Sequence, residues 1–251
     1  MAQTSLLITD LDGTLAGDAA ALSSFKRFMQ GLEQPPKLVY VTGRHLDSAL
    51  ELIQADGLPW PSLVVTDIGA AIYEGQTLRE DTRWRQRMQH QWDRDAIKSL
   101  ARKIPDLLLQ QLPHTRRVSF TTTRDESVQL LRDALDANHL AYTLVHSADR
   151  YVDVLPHGSG KGAAVTYVIK EYFGQPAEVL IAGDSGNDTA MLSLGYPAVI
   201  VGNAHPELAS LRNQEHVYQA KAGHAAGIIE GWKHFYLLPI DQQRKKITQN
   251  R

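Results

Sequence analysis

The chain has 251 residues, a formal net charge of −2 and 43% hydrophobic residues, enough length to bury a sizeable core and no basic excess to draw a nucleic acid. It holds no cysteine, which excludes disulfides, thiolate metal sites and a cysteine nucleophile and fits a reducing, cytoplasmic setting. The first apolar run is too short for a signal peptide, no segment is long and apolar enough to span a bilayer, and neither a nucleic acid nor a membrane is expected as a partner.

The first element is a strand over 6–9, an apolar run that ends at Asp10-Leu11-Asp12-Gly13-Thr14. Residues two apart on an extended chain point the same way, so Asp10 and Asp12 project into one small space at the strand end. Two carboxylates that close need a cation or a shared proton, and a hard Mg²⁺ suits their oxygens. Held ionised, one carboxylate can attack phosphorus while the other protonates a leaving oxygen; an Asx turn closing the strand is the plain alternative. A second strand over 38–41 runs into Thr42-Gly43-Arg44. The Thr42 hydroxyl and the amides around Gly43 suit an anion, or Thr42 simply caps the next helix; Arg44 reads as a rim or structural residue. That helix carries Leu46, Ala49, Leu50 and Ile53, and a third strand lies over 63–66.

The pattern then changes. Residues 81–101 are highly charged and helical in spacing, with Trp84 and Trp92 expected in the core or on a face of an inserted unit. Strand-like runs at 117–123, 142–146 and 151–155 flank a helical stretch over 127–138. These features predict an α+β domain over 81–156 inserted into a discontinuous core made of 1–80 and 157–251. Parallel-strand patterning resumes after Gly160-Lys161-Gly162, with a helix carrying Ala164, Val165, Val168 and Ile169, and strands over 179–182 and 198–201. The near-continuous apolar runs fit strands covered on both faces, so the fold class is α/β with a Rossmann-like parallel sheet. The polar stretch 241–251 reads as a solvated tail.

Ligands of open α/β sheets bind beyond the carboxyl ends of the strands. Three such ends carry polar clusters, the third being Gly183-Asp184-Ser185-Gly186-Asn187-Asp188. Asp184 can share a hard cation with Asp10, while Asn187 and Asp188 can orient ligand, water or Lys161. Lys161 opens a helix, where a cation opposes the helix dipole unless it faces an anion. It lacks the spacing and following hydroxyl of a Walker-A loop. Of ten histidines, no pair has the helical spacing of a metal-binding H-E-x-x-H.

In this order the clusters resemble the haloacid dehalogenase-like phosphohydrolases, with the inserted unit in the place of that family's C2-type cap. The resemblance implies Asp10 as the nucleophile of an aspartyl-phosphate and Asp12 as general acid, then base, also giving its backbone carbonyl to Mg²⁺. It implies Thr42, Gly43, Arg44 and Lys161 around the phosphoryl group, Asp184 completing the metal site, and Asn187 and Asp188 in support. A narrower resemblance, to sucrose-phosphate phosphatases, rests on His90-Gln91-Trp92-Asp93-Arg94-Asp95, on Val152-Asp153-Val154-Leu155-Pro156, on Val201-Gly202-Asn203-Ala204-His205-Pro206-Glu207-Leu208 and on the stretch from Gln219 to Glu230. It adds Asn203 to the phosphate-binding residues. Ala70 and Ala71 stand where those enzymes tend to carry polar side chains, a departure that keeps the related mannosylfructose-phosphate phosphatases in view.

The resemblance thus implies a Mg²⁺-dependent monomeric phosphatase acting on a phosphorylated disaccharide, with sucrose 6-phosphate as the leading substrate and a sucrose-phosphate synthase as a candidate partner. A sugar phosphomutase and a non-catalytic module docked on a synthase are the competing functions.

Overall fold

The computed structural model describes residues 4–114 and 116–237; the tail at 241–251 lies outside them. The chain begins β1 (Ser5–Thr9), α1 (Ala19–Gly31), β2 (Lys37–Val41), α2 (Leu46–Ala55), β3 (Leu63–Thr66), β4 (Ala71–Glu74). It continues α3 (Thr82–Gln89), α4 (Arg94–Ala101), β5 (Leu108–Leu109), β6 (Val118–Thr121), α5 (Asp125–Ala137), β7 (Tyr142–Ser147), β8 (Tyr151–Pro156). It closes α6 (Lys161–Val168), β9 (Glu178–Gly183), α7 (Thr189–Leu192), β10 (Ala198–Ile200), β11 (Val217–Gln219), α8 (His224–Trp232).

Seven strands form one sheet in the order β11-β10-β9-β1-β2-β3-β4. Every neighbouring pair is parallel except β3 with β4. The five strands expected from apolar runs are its centre; the two outer strands are short, and β11 has only three residues. Side chains of β1 alternate between two cores. Leu6 and Ile8 pack with Val165, Val168 and Met191, whereas Leu7 packs with Leu22, Phe25 and Ile228. Burial on both faces is why the strand is apolar without interruption.

The second sheet is antiparallel, ordered β5-β6-β8-β7. Val118 and Phe120 of β6 and Val152 and Val154 of β8 bury against Val128, Leu131 and Leu135 of α5 and Ile97 of α4. Spacings of three and four put that α5 stripe on one face. By strand alternation Arg117, Ser119 and Asp153 belong to the opposite face, toward the seven-stranded sheet.

The helical stretch expected over 81–101 is two helices. Asp81 accepts from the Trp84 amide at 2.7 Å and Asp93 from the Ala96 amide at 2.9 Å, giving each helix its own N-cap. Gln91 between them has φ +56°, a left-handed conformation that stops α3. The position of Trp84 corrects the sequence reading. Trp84 and Met88 bury in the core beneath the seven-stranded sheet with Ile72, and the Trp84 indole donates to the Gly69 carbonyl at 3.1 Å. Only Trp92 packs against the apolar cluster of the inserted sheet. Among the described residues, no helix is long and apolar enough to cross a membrane.

Candidate active site

Parallel register delivers the first carboxylate. Thr9 sits opposite Ala182 of β9 and Tyr40 of β2, and the Asp10 amide donates to the Ala182 carbonyl at 3.0 Å. Asp10 therefore leaves the sheet between the ends of β2 and β9, beside Thr42 and Asp184. All three are buried. The turn after Asp12 depends on Gly13, which has φ +78° and whose place for a Cβ lies 2.4 Å from Asp184 Oδ2. Any side chain there would collide with Asp184. Thr14 then donates its hydroxyl to Asp184 Oδ1 at 2.9 Å, a contact the sequence reading did not foresee.

Lys161 is the electrostatic centre. Its ammonium, 1% exposed as a residue, donates at 2.6 Å to Asp10 Oδ1 and at 2.6 Å to Asp188 Oδ1. This is the anion-facing placement that makes a lysine tolerable at a helix start. Burial alone would discharge the lysine, but the Asp10 and Asp188 carboxylates outweigh it and hold the charged form. Asp188 Oδ2 also accepts from the amides of Asp184, at 3.0 Å, and Ser185, at 3.1 Å. Both oxygens of Asp188 are thus engaged in holding the loop and the lysine.

The remaining charge is unbalanced. Asp10, Asp184 and Asp188 offer carboxylate oxygens within 4.8 Å of one another, and one ammonium faces them. Burial, aided by Asp188 and Asp184 and opposed by Lys161, pushes the Asp10 carboxyl well up from its ordinary value. Burial and Asp188 push Asp184 up to about 6. Carboxylates this reluctant to ionise, all hard oxygen donors, suit a divalent cation.

Asp12, expected to share one small space with Asp10, lies apart from this cluster, because β1 ends at Thr9 and strand alternation does not carry to Asp12. Its side chain is 53% exposed, and Arg44 grips it at both oxygens, Nε to Oδ2 at 2.8 Å and Nη2 to Oδ1 at 2.7 Å. Arg44 is itself tied to Ser48 Oγ at 2.8 Å and is held more firmly protonated by Asp12. The Thr42 hydroxyl accepts from the Arg44 amide at 3.1 Å, closing the turn at the end of β2. Gly43 is half-buried beside it. Asn187 accepts from Ser185 Oγ at 3.4 Å. Asn203 uses its amide elsewhere: Nδ2 donates to the Gly13 carbonyl at 2.8 Å and Oδ1 accepts from the His224 amide at 2.7 Å. It ties the turn after Asp12 to the start of α8.

The inserted sheet covers this site. Asp67, at the end of β3, faces Arg117 at 3.8 Å; Arg117 also reaches Asp153 at 3.4 Å, and Ser119 donates to Asp153. Burial raises both Asp67 and Asp153, with Arg117 opposing it in each. On the far side the Ala148 amide donates to Glu207 at 2.7 Å. Ala70 and Ala71 are fully buried, so the polar group at this strand end is Asp67. Its signal was present, an aspartate directly after an apolar run as at Asp10, but Asp67 and Arg117 meet only across the two sheets. Trp92 lines a cavity of about 300 Å³ with Ala70, Gln89 and Arg116.

A parallel sheet with aspartates gathered at its strand ends, beside an inserted antiparallel sheet, is the fold of a haloacid dehalogenase-like hydrolase of Bacillus subtilis, which superposes with a TM-score of 0.66 at 17% identity over 94% of each chain. Residues 3–236 match the sucrose-6F-phosphate phosphohydrolase family, and the chain belongs to it, a family of phosphoric monoester hydrolases. The mannosylfructose-phosphate phosphatase of Agrobacterium fabrum is 33% identical over 93% of this chain and 98% of its own length. Sucrose-phosphatase 1 of Nicotiana tabacum is 29% identical over 95% of this chain; the chain spans 61% of that longer protein. The sucrose-phosphatase of Synechocystis sp. PCC6803, solved with sucrose and phosphate, superposes with a TM-score of 0.85 at 30% identity, covering 93% of this chain and 98% of the other.

Proposed function

We propose that the protein is a Mg²⁺-dependent phosphatase of a phosphorylated disaccharide, with sucrose 6-phosphate as its substrate and Asp10 as its nucleophile. The observation that carries this reading is the Lys161 bridge between Asp10 and Asp188, which aims a buried carboxylate and a buried cation at one strand end. An Asp10 oxygen bonds to phosphorus as the bond to the sugar oxygen breaks. The electron pair leaves with that oxygen, and Asp12 protonates it. Asp12 then takes a proton from water, whose oxygen attacks phosphorus and frees Asp10 and inorganic phosphate. To act at the leaving oxygen Asp12 gives up its ion pair with Arg44 and takes a proton from solvent, the proton it then delivers. Lys161 and Thr42 hold the phosphoryl oxygens, with Gly43 leaving room for main-chain approach, and Asn187 and Asp188 position the loop. Asn203 acts through the turn it anchors. Asp10, Asp184 and the Asp12 carbonyl would hold the cation, since Asp188 is already committed to Lys161 and two amides. A bound Mg²⁺ would supply positive charge to the phosphoryl oxygens and keep Asp10 ionised.

Residues 81–156 act as the cap, although α3 packs on the core, and Arg117, Ser119 and Asp153 read the sugar. Ser119 and Asp153 are buried and Arg117 is partly so, on the face turned to the site, where sugar hydroxyls can replace the contacts among them. Ser119→Ala should lower kcat/KM for sucrose 6-phosphate about tenfold, the worth of one hydrogen bond, and leave hydrolysis of p-nitrophenyl phosphate unchanged. Equal loss on both substrates would remove Ser119 from sugar recognition. The family match and the Synechocystis likeness support sucrose 6-phosphate, and the Agrobacterium relative supports mannosylfructose phosphate as the second reading. A synthase partner and a cytoplasmic setting go with the sucrose reading.

Phosphate release from sucrose 6-phosphate should stop in EDTA and return with Mg²⁺ but not Ca²⁺, whose larger and looser coordination invites bidentate carboxylates and misaligns Asp10. Full activity in chelator would refute the metal requirement. Release without any added sugar bisphosphate separates the phosphatase from a mutase.

A further inference from the structure

At the rim of the cavity that Trp92 lines, two histidines far apart in sequence meet at the seam between the two sheets. His45 is the N-cap of α2, Asp47 lies in its first turn, and His114 precedes β6 on the cap. One donor atom from each falls within 4.8 Å of the others. His114 Nε2 stands 3.5 Å from Asp47 Oδ2, and the two imidazoles meet edge to face at 5.2 Å between centroids.

We propose that His45, Asp47 and His114 form a second metal site, for a borderline cation of the Zn²⁺ class, which pins the cap to the core and inhibits turnover. A tetrahedral ion with ligands at 2.0–2.1 Å holds neighbouring donors about 3.4 Å apart, close to the separation already present between His114 and Asp47. Two imidazoles and one carboxylate, with water in the fourth place, suit Zn²⁺, Co²⁺ or Ni²⁺; Mg²⁺ wants an octahedron of oxygens and does not compete. Two of the donors lie on one element, Asp47 in a helix and His45 at its cap, and His114 comes from the loop between β5 and β6. His45 Nδ1 accepts from the Ser48 amide at 3.3 Å, and ligation by either ring nitrogen releases that long bond. Losing an N-cap costs about 1 kcal/mol, small beside the metal–ligand bonds gained. Because His114 belongs to the cap and His45 and Asp47 to the core, the ion links the two units. Sugar entry and release between them then slow.

The binding half of this proposal is independent of the reading as a sucrose-phosphate phosphatase; the inhibition half rests on it. Co²⁺ added to the full chain in saturating Mg²⁺ should give the visible absorption of a four-coordinate Co²⁺–imidazole centre, and Zn²⁺ should bleach it. In His114→Ala and in Asp47→Asn the absorption should vanish and Zn²⁺ affinity fall at least about tenfold. Asp47→Asn should keep its basal phosphatase rate and lose inhibition by Zn²⁺. No absorption in the parent protein, or an equal signal in both variants, would overturn the site. Zn²⁺ inhibition unchanged in Asp47→Asn would place the inhibiting ion at the aspartate cluster and refute the link between seam and turnover. A protein inactive on every sugar phosphate would fail the functional reading while the Co²⁺ signal still decided the site.

Discussion

Asp10→Asn should abolish phosphate release, a loss of at least about 10⁴-fold in kcat, the scale seen when a covalent nucleophile is removed. The substitution keeps the size of the side chain and its place at the end of β1. It removes the ionised oxygen that would bond to phosphorus. The fold should survive, because the Lys161–Asp188 pair remains and one buried carboxylate with a raised pKa disappears. Circular dichroism and the melting temperature should therefore stay close to those of the parent while the phosphate assay falls silent. A rate within tenfold of the parent would show that another group attacks phosphorus.

The second large effect falls on stability as well as rate. Lys161 is fully buried between two carboxylates, both at 2.6 Å. Replacing it by Met preserves the stem and deletes the charge, leaving Asp10, Asp184 and Asp188 with no compensating cation. Breaking a buried pair by removing one partner costs about 3–5 kcal/mol. For a chain of this size each kcal/mol moves the melting temperature by about 2–4 °C, so Lys161→Met should melt about 6–20 °C lower in EDTA. Mg²⁺ should restore part of that loss and none of the turnover. A melting temperature within about 2 °C of the parent in chelator would mean that the lysine does not hold the cluster together.

How much of this was legible in the sequence depended on the range of the signal. The parallel strands were readable because burial on both faces demands unbroken apolar runs, as in Leu6, Leu7 and Ile8. The strand-end places of Asp10, Thr42 and Asp184 were readable because each follows such a run, and a strand end in an α/β sheet is where ligands bind; Asp12 was expected beside Asp10 but lies past the strand end, turned out to Arg44. β11 was not, since an edge strand of three residues carries too short a pattern. Trp84 was misplaced because spacing along a helix reports which face is apolar and not which core receives it; only the Ile72 and Gly69 contacts decide that. Asp67 and Arg117 were missed for a similar reason. Each is an ordinary polar residue locally and becomes a buried ion pair only when the inserted sheet closes over β3. Asn203 was placed at the phosphate on resemblance, whereas both ends of its amide are bonded to main chain.

In the proposed function the core performs the phosphoryl chemistry and the cap selects a two-ring sugar. Steady-state phosphate release from sucrose 6-phosphate, mannosylfructose phosphate, fructose 6-phosphate and glucose 6-phosphate, under one Mg²⁺ concentration, tests it most directly. Losing one ring should cost about 3 kcal/mol of transition-state binding, so kcat/KM for sucrose 6-phosphate should exceed that for either monosaccharide phosphate by on the order of a hundredfold. A preference for mannosylfructose phosphate would keep the disaccharide site and change its ligand; comparable kcat/KM for the monosaccharide phosphates would contradict the account.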